Sequence, residues 1–312
     1  MAREVICRTE MMGATLRLGG APIELSDYLT TGLVAVAVAP RGNCKTNAGL
    51  LMAEQLTEQG WISVLVEPEG ELESLYGKAI ESADRLSEVL ASRAQPFTVV
   101  SATDADQFVP YGEAILAAAD EHRKPMFVVI DEGQLFSTSK KRDIAAAVDI
   151  INEIAERGRK RALDLFITAH RYTASLHRSI FTNKNLTLVG AQEDPTAWAV
   201  LAPQFRGYNI QYSDLNALSP GEFFCFSRRG VEKIKMPMAA ALQRVAPKAQ
   251  APKRMLPTSF SQWHRAMRDI PTERLQALSD PVNHLLAAIA GLSTERILSG
   301  TRALQDELAT RP

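Results

Sequence analysis

An unbroken apolar run, Leu33-Val34-Ala35-Val36-Ala37-Val38, gives way at once to the small-residue stretch Ala39-Pro40-Arg41-Gly42-Asn43-Cys44 and then to Lys45-Thr46. The run carries no polar alternation, which predicts a strand buried on both faces. Downstream, Ala48, Leu51, Met52 and Leu56 recur at helical spacing until Gly60 supplies a stop signal. The segment therefore folds as strand, tight loop, helix. A loop at that junction suits an anion, because unpaired helix N–H groups and the helix dipole both favour negative charge.

The spacing is that of the phosphate-binding P-loop, G-x-x-x-x-G-K-[ST]. In that loop backbone N–H groups wrap the phosphates, the lysine reaches the β- and γ-phosphates and the hydroxyl holds Mg²⁺. Lys45 and Thr46 take the last two roles. Ala39 and Cys44 replace the two pattern glycines, and Gly42 alone survives inside the loop. A β-carbon at position 44 costs about 1–2 kcal/mol if that residue needs a glycine-like backbone, and it crowds the phosphate. The Cys44 thiol, beside Lys45 and at a helix N-terminus, is expected to be protected from alkylation by nucleotide.

A second apolar run, Pro125-Met126-Phe127-Val128-Val129-Ile130, ends in Asp131-Glu132. In P-loop ATPases the strand-end aspartate helps hold Mg²⁺ and the following glutamate polarises the attacking water. Asp131 and Glu132 fit these roles.

Four blocks, the Asp131-Glu132 strand among them, resemble the HerA/FtsK superfamily of P-loop ATPases, ring-forming motors that move DNA, and they follow that family's order. Val64-Leu65-Val66-Glu67-Pro68-Glu69-Gly70-Glu71 is similar to its strand and acid-Pro-x-Gly-Glu segment, and the Asp131-Glu132 strand comes next. Glu156-Arg157-Gly158-Arg159-Lys160-Arg161 through Thr168-Ala169-His170-Arg171 resembles its Gly-Arg-basic, strand, Thr-Gln-Arg block. Leu218-Ser219-Pro220-Gly221-Glu222-Phe223-Phe224 is similar to its Leu-x-x-Gly-Glu-aromatic hairpin. The resemblance spans residues 30–240.

The resemblance implies a RecA-like P-loop NTPase core of class α/β, with a mainly parallel sheet flanked by helices. It also implies ATP and Mg²⁺ as cofactors and a homo-oligomer, a hexameric ring, as the assembly. Pro40, Arg41, Gly42, Asn43, Cys44, Lys45, Thr46 and Asn47 would bind nucleotide, with Thr46 and Asp131 on the metal. His170 stands where the family carries glutamine, at the position that senses the γ-phosphate. Arg159 or Arg157 would act as an arginine finger on the neighbouring subunit's nucleotide. Arg171 and the Lys140-Lys141-Arg142 run are rivals for that role or for phosphate contacts to DNA.

A formal net charge of −1 requires any DNA affinity to come from a local patch. Cys7, Cys44 and Cys225 are widely spaced and indicate neither a disulfide framework nor a C-x-x-C metal site, which suits a reducing cytoplasm. No apolar run reaches the roughly 18 residues of a membrane span, and no signal-peptide core is seen.

Residues 1–30 are expected to form a β-rich lead-in, with Ala14–Leu18 and Pro22–Leu25 as a hairpin about Gly19-Gly20. Residues 31–244 form the ATPase core, with further strands at Thr98–Val100, Leu186–Val189 and Phe223–Phe226. The Pro/Ala/Lys-rich stretch 245–258 reads as a linker, and 259–312 as a small helical tail suited to a neighbouring subunit, a partner protein or DNA. The function expected is an ATP-hydrolysing motor that translocates nucleic acid, double-stranded DNA above all, in genome packaging or DNA processing. The alternative is a nucleotide-binding scaffold with slow turnover. A small-molecule kinase fits less well, because strand-end acids with a downstream basic block suit attack by water.

Overall fold

The computed structural model describes residues 13–137, 144–172, 176–192 and 194–244, together with Arg302, Ala303 and Asp306. The chain divides into two compact units at Ala246/Pro247, and the first holds every element below. The expected linker, the body of the tail, Cys7 and the Lys140-Lys141-Arg142 run lie outside the described residues.

Ten strands alternate with helices in the order β1 (Thr15–Leu16), β2 (Ile23–Glu24), β3 (Val34–Val38), α1 (Lys45–Glu58), β4 (Ile62–Glu67), α2 (Glu73–Tyr76), α3 (Ala83–Ser92), β5 (Phe97–Ser101) and α4 (Ala105–His122). There follow β6 (Met126–Ile130), α5 (Ala145–Arg157), β7 (Leu163–Ala169), α6 (Arg178–Asn183), β8 (Leu186–Val189), α7 (Pro195–Phe205), α8 (Tyr212–Asn216), β9 (Glu222–Ser227), β10 (Gly230–Lys235) and α9 (Ala240–Arg244). β1 and β2 pair antiparallel where the lead-in hairpin is expected, over fewer residues.

The other eight strands form one sheet in the order β10-β9-β8-β3-β7-β6-β4-β5. The pairings from β8 to β5 are all parallel, while β9 and β10 run antiparallel at one edge. This is the layered sheet of a P-loop NTPase core. Every residue of β3, β4, β6, β7 and β8 is buried, which explains the unbroken apolar runs of β3 and β6 and the predominance of apolar residues in the other three. One apolar cluster joins Val128, Ile130, Leu165 and Ile167 to Phe108, Ile115, Ile151 and Ile154 of α4 and α5. The other joins Phe127, Val129 and Phe166 to Leu50, Met52 and Leu56 of α1.

Helix α1 lies very close to its face of the sheet. A β-carbon on Gly49 would fall 2.8 Å from the Phe166 ring and 2.9 Å from Val129, so only glycine permits this approach. The opposite end of the sheet is tied by the buried Asp164, whose carboxylate accepts from Leu33 N–H at 2.8 Å and Trp61 Nε1–H at 3.3 Å. Close docking at one end and this clasp at the other fix where α1 begins, and that start is the functional end of the molecule.

Candidate active site

Strands β3, β7 and β6 lie side by side and parallel, so their C-terminal ends open onto one edge of the sheet. β3 delivers the loop Ala39–Cys44, β6 delivers Asp131 and Glu132, and β7, between them, delivers Thr168 and His170. Ligands of parallel α/β sheets bind at this edge.

The loop turns through two left-handed residues, Gly42 with φ 76° and Cys44 with φ 61° and ψ 29°. Cys44 is the N-cap of α1 and its side chain makes no capping hydrogen bond. Position 44 therefore does demand a glycine-like backbone. Lys45 is buried and its Nζ donates to the Pro40 carbonyl at 2.9 Å, spanning the foot of the loop. Asn43 Nδ2 donates to Arg41 O at 3.2 Å and stiffens the tip. Burial pulls the Lys45 pKa down, against the opposing pull of Asp131 and Glu132, so an anion in the loop would be drawn to an under-compensated cation.

Asp131 is gripped at both oxygens. Thr46 Oγ1–H donates to Oδ2 at 2.6 Å, and Thr168 Oγ1–H donates to Oδ1 at 2.6 Å. Glu132 follows in a left-handed conformation, φ 49°, and its backbone N–H donates to Thr168 Oγ1 at 2.9 Å and to Asp131 Oδ1 at 3.1 Å. The Glu132 carboxylate meets His170 Nε2 at 3.3 Å and Arg41 Nη2 at 3.7 Å. Burial, then the Lys45 charge, lowers the His170 pKa, although Glu132 pulls the other way; the ring is neutral at pH 7 and its Nε2–H can donate to Glu132. The His170 Nδ1 is buried without a hydrogen-bond partner among the described residues.

Lys45, Thr46, Asp131, Glu132 and His170 are thus brought together as their order in the sequence suggests. Asn47 is not part of that group. Its side chain donates to Pro237 O at 2.9 Å and accepts from Ala239 N–H at 2.8 Å, so it clamps the chain after β10. One residue along a helix rotates about 100°, so the Asn47 side chain leaves α1 on a different side from that of Thr46.

Arg157 and Arg159 lie at the far edge, where β7 begins. Arg157 approaches Glu153 at 3.6 Å, and Arg159 donates to the Thr30 carbonyl just before β3. Neither can reach the loop of its own chain. Arg171 is exposed beside His170. Thr168 belongs to the block that resembles the family's Thr-Gln-Arg segment, but the sequence assigns it no role; its bonds to Asp131 and Glu132 appear only in the structure.

No family model matches the chain, and no curated protein matches it. Solved structures do share its fold. The genome packaging NTPase B204 from Sulfolobus turreted icosahedral virus 2, in complex with ATPγS, superposes with a TM-score of 0.53 at 13% identity, over 66% of this chain and 98% of that one. Its sulfate complex gives 0.53 at 15% identity, over 67% and 98%. The pCW3 conjugation coupling protein TcpA, monomer form with ATPγS, gives 0.52 at 14% identity, over 74% and 67%. At such identities the likeness establishes a shared fold, that of a P-loop NTPase.

Proposed function

We propose that this chain is an ATP-hydrolysing motor that works as a ring, hexameric in the family it resembles, and translocates double-stranded DNA. The observation that carries the reading is the contact between Thr46 Oγ1 and Asp131 Oδ2 at 2.6 Å, directly below the Lys45 loop and one residue from Glu132. Hydroxyl and carboxylate oxygens are the donors Mg²⁺ takes, with water and phosphate completing its octahedron. Thr46 and Asp131 would hold the ion. The ion held there would supply positive charge against the charge that develops on the phosphates during transfer.

The chain's own groups supply the rest. Backbone N–H groups from Pro40 to Thr46, proline apart, cradle phosphate, and Lys45 exchanges the Pro40 carbonyl for it. Glu132 orients and deprotonates water, with His170 and Arg41 holding its carboxylate until a γ-phosphate competes for them. Arg157 or Arg159, being on the far edge, acts only on a neighbouring subunit's site. The packaging and coupling proteins that share the fold support DNA as the partner. The chain acts in the cytoplasm; no described helix is long and apolar enough to cross a membrane.

One observation favours a second reading. Cys44 holds a left-handed backbone and carries a β-carbon where phosphate must approach, which suits a scaffold that binds ATP and turns it over slowly. Steady-state ATP hydrolysis with and without double-stranded DNA, for the native chain and Glu132→Gln, separates the two. A motor shows DNA-stimulated turnover that the variant loses. ATP binding without turnover would establish the scaffold instead.

A further inference from the structure

The Thr168 hydroxyl at the end of β7 is bonded to both acids of the site. Thr168 is fully buried, within a strand whose other buried polar residue, Asp164, serves the far end. Register places it: Ala37 of β3 is opposite Thr168, and Ile130 of β6 is opposite Ile167, so Thr168 stands between the root of the phosphate loop and the first residue beyond β6. Successive strand residues alternate faces, and Thr168 continues the column of Phe166 on the side where α1 packs. Asp131 continues the column of Phe127 and Val129 on that same side. The two polar groups meet under the first turn of α1.

We propose that Thr168 is a positioning residue that sets the geometry of both acids, an inference that rests on the ATPase reading above. A hydroxyl has one hydrogen to donate and lone pairs to accept with. Here the hydrogen goes to Asp131 Oδ1 at 2.6 Å and a lone pair takes Glu132 N–H at 2.9 Å. The first bond, opposed by the Thr46 bond to Oδ2, stops the Asp131 carboxylate from rotating and keeps Oδ2 turned to Thr46. The second holds the Asp131–Glu132 peptide in the orientation from which Glu132 leaves the strand at φ 49°. A left-handed backbone costs a non-glycine residue about 1–2 kcal/mol, so something must hold it, and of the two bonds made by the Glu132 N–H the one to Thr168 comes from outside the turn. One side chain thereby couples the direction of the metal-binding acid to that of the acid that activates water.

The test compares Thr168→Val, which keeps shape and loses the hydroxyl, with Thr168→Ser, which keeps the hydroxyl, in the full chain. Three quantities are read: kcat for ATP across a Mg²⁺ titration, the affinity for a fluorescent ATP analogue at saturating Mg²⁺, and the melting temperature. The expected result is that valine lowers kcat about tenfold to a hundredfold, the scale of a misplaced reacting group, and raises the Mg²⁺ needed for half-saturation, with analogue affinity within about twofold of native. Serine restores most of the turnover. Native kcat and Mg²⁺ requirement in the valine variant would overturn the inference. So would equal losses in both variants that track a fallen melting temperature, since those mark a packing role. If the native chain itself does not hydrolyse ATP, the ATPase reading falls separately. Thr168 is then judged by the Mg²⁺ dependence of analogue binding, which valine must weaken and serine preserve.

Discussion

Ala39 and Gly190 meet across the top of the sheet with no room for another carbon: a β-carbon built on Gly190 would lie 2.7 Å from the Ala39 Cβ. Gly190 also donates its N–H to the Val38 carbonyl at 2.9 Å, so neither backbone can retreat. The missing first glycine of the phosphate loop is thus balanced by a glycine on the neighbouring strand end. Gly190→Ala should overpack this contact and destabilise by about 1–3 kcal/mol. In an Ala39→Gly background the same substitution should cost about 1 kcal/mol less or better, and a urea-denaturation double-mutant cycle reads the difference. An additive cycle would show that the two positions do not share the space.

Cys44 offers the opposite case, a departure from the pattern with nothing to balance it. Its left-handed backbone costs about 1–2 kcal/mol, of which glycine would forfeit roughly 0.4–1 through its freer unfolded chain. Cys44→Gly should therefore stabilise the protein by up to about 1 kcal/mol, and it should tighten ATP binding by clearing the β-carbon from the phosphate path. Cys44→Ala keeps the strain and should give neither gain. Thermal melting and nucleotide titration of the two variants decide it.

The strands of the core were legible because burial on both faces leaves uninterrupted Val, Ile and Leu, and the acids at Asp131-Glu132 were legible because they end such a run. Strand β10 was not, since Glu232, Lys233 and Lys235 lie exposed along an edge and hide its pattern. The order of strands was not legible either, because crossovers and register set it and neither leaves a local mark. The same limit hid the role of Thr168: its partner Asp131 lies 37 positions away in sequence, and only the pairing of β6 with β7 brings them together. The bonds of Asn47 to Pro237 and Ala239 were hidden for the same reason, since those partners lie 190 and 192 positions away.

Because Asn47 spends its amide on Pro237 and Ala239, its loss should read as stability and leave nucleotide affinity unmoved. Asn47→Ala strands a buried N–H of Ala239 and the Pro237 carbonyl, which costs about 1–3 kcal/mol for each group left without a partner. The expectation is a drop in the urea midpoint with ATP-analogue affinity within about twofold of native. A large loss of affinity in a variant of native stability would return Asn47 to the loop's ligands.

His170 gives the site a pH dependence whose sign follows from its surroundings. Burial and the Lys45 charge, with Arg41 adding to it, hold its pKa below the ordinary histidine value, and Glu132 only partly offsets them. The unfolded chain therefore takes up this proton at a higher pH than the folded one. Stability tied to neutral His170 is fully present above the unfolded value, near 6.5, and is lost as pH falls from there through the lowered folded value. His170→Gln cannot titrate, so its melting temperature should fall less between pH 7 and pH 5 than that of the native chain, the carboxylates common to both cancelling in the comparison. The same substitution should preserve or raise ATP turnover at pH 7, because an amide N–H can replace the donor that faces Glu132. A steeper acid loss in the glutamine variant would mean that protonated His170 is stabilised by Glu132 more than burial and Lys45 oppose it, and a complete loss of turnover would mean that the imidazole does more than donate.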